Sequence, residues 1–246
     1  MCTTCLTRRR FIGVAAGAAV LPGCDGPPDL VSDQEVETMG LQAWSQIVAE
    51  TPRSRIAEFQ TTLDMVSRRL LGVAADDPDE WEFVVFADSR ANAFALPGGK
   101  IGVYEGMFEV AGNEDQLAAI VGHEIGHLGA EHAQERMSAQ VAKSAGMRLL
   151  AWVLDMGEVQ YAQEIAAAMG LGVEVGLLLP YSRDQELEAD RLGLMTMDAA
   201  GFDAREAVQL WRNMQAAGGA RGPAFLATHP TPGSRIREIE GILETL

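Results

Sequence analysis

The chain of 246 residues contains His123-Glu124-Ile125-Gly126-His127, two imidazoles four positions apart with a carboxylate directly after the first. On a helix this spacing puts both rings one turn apart on one face, where their nitrogens can converge on a single metal ion. Glu124 is then placed to take a proton from a water that attacks a carbonyl, the task of a general base in metal-assisted hydrolysis. With only four His in the whole chain, a chance match on a solvated helix is a poor account of the pattern.

A catalytic zinc takes three protein ligands and keeps a fourth position open, so a third ligand is needed. His132 misses the H-E-x-x-H-x-x-G-x-x-H pattern by one position, with Ala130 and Ala133 where the Gly and His would stand. It is expected one helical turn on, as a structural or surface histidine. The other candidate lies in Tyr181-Ser182-Arg183-Asp184-Gln185-Glu186-Leu187-Glu188-Ala189-Asp190. There Glu186 and Asp190, at i and i+4, share a face of a second helix. That suits Glu186 as ligand and Asp190 as the acceptor that fixes the tautomer of a ligand His. Glu188 points elsewhere on such a helix. A charge-rich helix is more often a solvated face, so spacing alone does not settle the third ligand.

Something must hold these helices in register. Asn113 and Gln116 resemble a capping box, Glu114 and Asp115 suit the helix dipole, and Leu117, Ile120, Val121, Ile125 and Leu128 give an apolar face. Residues 33–71 are mostly helix-compatible, with apolar Met39, Trp44, Ile47, Val48, Ile56, Phe59, Leu63, Val66 and Leu70. Asp76-Asp77-Pro78-Asp79 breaks that pattern. Trp81–Phe86 then has the composition of a strand, Ala91–Leu96 of a second, and Lys100–Val103 starts a third after a Pro97-Gly98-Gly99 turn. Strands followed by helices predict an α+β domain, not an alternating βαβ fold. The Ala-, Leu- and Gly-rich stretch 145–180 is interrupted by Arg148, Asp155, Glu158, Glu164 and Glu174, which predicts a buried helical hairpin and not a membrane span.

The first residues have the layout of an export signal. Arg8-Arg9-Arg10 resembles a twin-arginine signal, the apolar run Phe11–Leu21 is too short to span a bilayer, and Leu21-Pro22-Gly23-Cys24 resembles a lipobox. The expected organisation is a signal peptide over 1–23, a tether over 24–32 through Gly26-Pro27-Pro28, and one domain over 33–246. Cys24 would be acylated and become the new N-terminus, leaving no thiol for a disulfide. Asp25 after it resembles a signal for retention in the inner membrane, with the domain facing the periplasm. Loss of three arginines takes the formal charge from −16 to −19, which argues against nucleic acid as a partner. The membrane is expected as a partner only through the lipid. With 48% hydrophobic residues, the chain is neither disordered nor a disulfide scaffold.

Four motifs occur in order: Asn92-Ala93-Phe94-Ala95-Leu96-Pro97-Gly98-Gly99, His123-Glu124-x-x-His127, Ser182-Arg183-x-x-Glu186-x-Glu188-Ala189-Asp190 and His229-Pro230. Together they resemble the HtpX-like and CAAX prenyl endopeptidase family of zinc metallopeptidases, over roughly residues 55–240. The resemblance implies a zincin fold in which two helices bring His123, His127 and Glu186 to one zinc, with Glu124 as base and polypeptides as substrates. It implies that Asn92, Ala93, Phe94 and Ala95 lie on an edge strand against which substrate main chain is paired. His229 would donate to the developing oxyanion, or bind the metal and silence it. Arg235 would orient His229 or bind a substrate carbonyl or carboxylate. The several membrane spans of the prenyl-protease relatives and the helical-repeat extension of some periplasmic members are both missing. The expectation is therefore a minimal lipid-anchored catalytic domain. A second function class, a latent protease serving as a zinc-stabilised binding or chaperone-like module, is disfavoured by the intact Glu124.

Overall fold

The computed structural model describes residues 30–74, 77–143, 180–217, 223–229 and 235–246. Cys24, the signal, most of the tether, the expected hairpin at 145–180 apart from residue 180, and Pro230 lie outside these residues.

Residues 33–71 do not form one helical stretch. Helix α1 (Asp33–Glu50) starts at a capping box between Ser32 and Glu35 and stops at Thr51. Thr51 is extended at φ −112° and ψ 118°, as a residue before proline prefers to be. Helix α2 (Ala57–Ala74) then buries Leu63, Val66 and Leu70. Met39 and Ile56, expected on the apolar face, are exposed instead, at 36% and 43%. A 3-10 turn (Pro78–Glu80) leads into the sheet.

Strands β1 (Glu82–Phe86), β2 (Ala93–Leu96) and β3 (Lys100–Tyr104) form one mixed sheet in the order β1-β3-β2. The hairpin at Pro97-Gly98-Gly99 pairs β2 with β3, Ala93 opposite Val103 and Leu96 opposite Lys100. Its turn needs left-handed backbone at Gly98 (φ 86°) and Gly99 (φ 69°), which glycine adopts freely. β1 runs parallel to β3, Glu82 opposite Lys100, so β2 lies at an edge. On one side of the sheet, Trp44 of α1 packs with Val84, Phe86 and Leu96. On the other, α2, β1 and β3 share a core with Leu117, Ile120 and Val121.

After the short helix α3 (Glu105–Val110) comes α4 (Glu114–Gly129). Asn113 accepts the Gln116 N–H at 2.8 Å, but Gln116 reaches back to Gly112 N–H, not to Asn113, so the cap is one-sided. Helix α5 covers 132–143, and α6 (Arg183–Ala199) starts at a capping box between Ser182 and Gln185. Helices α7 (Glu206–Ala216), α8 (Phe225–Thr228) and α9 (Arg235–Leu243) close the domain. Among the described residues no helix is long and apolar enough to cross a membrane.

The crossing of α4 and α6 positions the site, and it depends on missing side chains. A Cβ on Gly126 would lie 2.8 Å from the Ala189 carbonyl oxygen, and one on Gly193 would lie 2.8 Å from the His123 nitrogen. Both obstacles are backbone, so the helices would have to separate. Gly193→Ala is therefore expected to lower stability by about 1–3 kcal/mol and to weaken metal binding, as urea unfolding and chelator competition would show. Unchanged stability would mean that the helices slide apart without cost.

Candidate active site

The α4–α6 crossing brings His123, His127 and Glu186 together, and His229 joins them from the end of α8, all of them buried. His127 Nε2 lies 3.0 Å from His123 Nε2 and 3.4 Å from Glu186 Oε1. His229 Nδ1 lies 3.3 Å from His123 Nε2 and 3.0 Å from Glu186 Oε1. A tetrahedral zinc with bonds of about 2.0–2.1 Å requires ligand atoms about 3.3–3.4 Å apart, close to these separations. Three imidazole nitrogens and a carboxylate oxygen are also a donor set that suits zinc. The donor atoms of these residues therefore fit zinc.

Electrostatics prepares the donors for this role. Burial drives His127 down to about 2, so its ring stays neutral, as metal ligation requires. Burial opposes ionisation of Glu186, yet the surrounding histidines and the Arg235 guanidinium hold it well below the usual carboxylate range. Asp190 is likewise held low against its burial by Arg235 and His123. Its Oδ1 lies 2.9 Å from His123 Nδ1. Arg235 is fully buried: its Nε and Nη2 reach the two Asp190 oxygens at 2.8 and 2.7 Å, Nη1 donates to Glu186, and the guanidinium lies over Trp211. Arg235 thus pairs with both carboxylates, and the other oxygen of Glu186 contacts His229 Nδ1.

Glu124 follows His123 in α4 and is buried. Its Oε2 accepts the Ala95 N–H at 2.9 Å. Its Oε1 has no hydrogen-bond partner among the described residues and lies 3.3 Å from His229 Nε2. Burial raises its pKa against the pull of His229 and His123, the direction that strengthens a general base. The buried orphan oxygen marks the place where a transferable proton would be received.

The expected edge strand lies beside this glutamate, although its residues divide. Asn92 gives its carbonyl to Tyr104, so the alternation of an antiparallel ladder turns Phe94 towards β3 and Ala93 and Ala95 outwards. The Phe94 ring packs among Trp44, Phe86 and Tyr104. The outward row carries the Ala95 N–H, which reaches Glu124, and the Ala91 carbonyl, which accepts from Phe225 N–H at 3.1 Å.

Further side chains surround the cluster. His132 is buried beside His127, the structural of its two expected places. Glu188, though exposed, turns towards His132. The Tyr181 ring stacks on His127 with centroids 3.6 Å apart, and Arg136 lies over its other face.

Two histidines and a glutamate thus converge from crossing helices, with a buried glutamate and a sheet edge beside them. The family model described as peptidase family M48 matches residues 57–243, and the chain belongs to that family. The chain is 38% identical over 208 residues to the mitochondrial metalloendopeptidase OMA1 of Schizosaccharomyces pombe, covering 82% of this chain and 59% of the relative. To the OMA1 of Saccharomyces cerevisiae it is 33% identical, covering 66% and 47%. To the beta-barrel assembly-enhancing protease of Escherichia coli it is 28% identical, covering 72% and 37%. The chain thus spans between about a third and three fifths of the length of these relatives.

Proposed function

We propose that this chain is a zinc-dependent endopeptidase acting on polypeptides of the bacterial cell envelope, misfolded ones included. The observation that carries this reading is Glu124, buried with a free oxygen beside the cluster of His123, His127 and Glu186. These three residues would hold zinc, which when bound polarises the scissile carbonyl and makes water more acidic. Substrate main chain lies extended along Ala93 and Ala95 of β2. Glu124 takes the proton of the attacking water and delivers it to the leaving amine. Asp190 holds the His123 ring in place, and Arg235 holds Asp190 and Glu186.

The chain is exported and acylated at Cys24, with 1–23 as signal, 24–32 as tether and 33–246 as catalytic domain. The lipid attaches it to the inner membrane with the site facing the periplasm. Comparative proteomics of the envelope, with wild-type and Glu124→Gln strains, tests activity and place together. Intact substrates should accumulate and new protein termini should vanish in the variant, while the chain pellets with membranes unless Cys24 is Ser. Identical peptide profiles, or a Cys24→Ser chain that still pellets, would reject the respective part.

His229 supports a second, latent form of the same enzyme. Its Nδ1 takes the fourth corner of the cluster, and closed four-ligand shells are typical of structural and not catalytic zinc. In this form His229 must leave before a carbonyl can enter, and the chain binds unfolded polypeptide without cutting it. His229→Ala is then expected to raise casein turnover several-fold. A fall would instead assign His229 to oxyanion stabilisation.

A further inference from the structure

We propose that His132 and Glu188 form a relay that sets the tautomer of His127, so that both are positioning residues for the metal site. The inference rests on the reading of His127 as a zinc ligand and adds what makes it one. A neutral histidine that binds metal through Nε2 must carry its proton on Nδ1. Which nitrogen carries the proton is set by what faces the other.

His127 Nε2 faces the cluster, and its Nδ1 lies 2.8 Å from His132 Nδ1. One of these two nitrogens donates and the other accepts. The far nitrogen of the second ring, His132 Nε2, lies 3.3 Å from Glu188 Oε2. An ionised carboxylate only accepts, so it fixes the His132 proton on Nε2 and leaves the His132 Nδ1 lone pair bare. That lone pair accepts the His127 Nδ1–H, which leaves His127 Nε2 bare towards the cluster. One acceptor-only group at the outer end therefore dictates each proton position along the chain. Helix α6 thereby serves both ligand rings: Asp190 meets His123 directly, and Glu188 meets His127 through one intervening imidazole.

The backbone between the two rings supports this role. Glu131 stands at φ 55°, the one non-glycine residue with left-handed backbone among the described residues, a conformation that costs an ordinary side chain free energy. It follows the last turn of α4, where Ala130 N–H still reaches the Gly126 carbonyl at 3.0 Å. The reversal there starts α5 and packs His132 beneath His127, 1% exposed.

The test is zinc affinity of the full chain by competition with a chelator, together with imidazole nitrogen NMR of the zinc-loaded protein. His132→Phe keeps the ring volume and removes the acceptor, and zinc should bind roughly 10–100-fold more weakly. His132→Asn places an amide oxygen close to where Nδ1 stood and should recover most of that loss. Glu188→Gln, which can donate as well as accept, should give a smaller loss. In the wild type the nitrogen shifts should show His132 protonated on Nε2 and bare on Nδ1. If His132→Phe fails to fold, these wild-type shifts decide. The relay is overturned if folded His132→Phe holds zinc as tightly as wild type, if Asn does no better than Phe, or if His132 carries its proton on Nδ1. Wild-type protein that binds no zinc at all would instead remove the metal reading beneath it.

Discussion

Glu124→Gln should hold zinc as the wild type does and cleave casein slower by roughly 10²–10⁴-fold, the usual worth of a general base. The substitution changes little else. Glu124 accepts the Ala95 N–H through Oε2, and the amide oxygen of Gln can accept it equally. The amide nitrogen would then stand where Oε1 now lies, 3.3 Å from His229 Nε2, which accepts from it when the His229 proton sits on Nδ1. The proposed ligands His123, His127 and Glu186 are untouched, so loss of rate without loss of zinc isolates the proton transfer. Equal rates for the two proteins would remove Glu124 from the chemistry. Loss of zinc in the variant would show that the carboxylate supports the metal site instead.

Arg235→Ala should lower stability by about 3–5 kcal/mol, because it leaves buried carboxylates without their counter-charge. The guanidinium is 1% exposed, spans both oxygens of Asp190 and reaches Glu186 as well. Removing it also uncovers the face of Trp211. Arg235→Lys should rescue little, since an ammonium cannot match the bidentate geometry. Urea unfolding of the zinc-loaded proteins measures this directly. A loss below about 1 kcal/mol, typical of exposed ion pairs, would show that water reaches these groups.

The sequence exposes those parts of the site that repeat with helical period. His123, Glu124 and His127, then Glu186 and Asp190, lie on faces that spacing alone places, and the structure brings them together. The closeness of the two helices is written in Gly126 and Gly193, though its meaning needs a partner helix to be seen. The contact of His132 with His127 depends on a single left-handed residue, Glu131, that turns the chain between them. No periodicity marks such a turn when the residue is not glycine. The break between α1 and α2 was signalled by Pro52 but masked by good helix formers on either side. The parallel pairing of β1 with β3 depends on contacts far apart in sequence, which local composition does not carry.

In the proposed mechanism one zinc and one glutamate, Glu124, together cut peptide bonds. Metal-stripped wild type and Glu124→Gln should be titrated with zinc while casein cleavage and bound metal are followed side by side. Wild-type activity is expected to rise to one equivalent of zinc and then level off, with the variant binding the same equivalent and staying silent. Cleavage that persists without zinc, or that is the same in both proteins at one equivalent, would contradict the account.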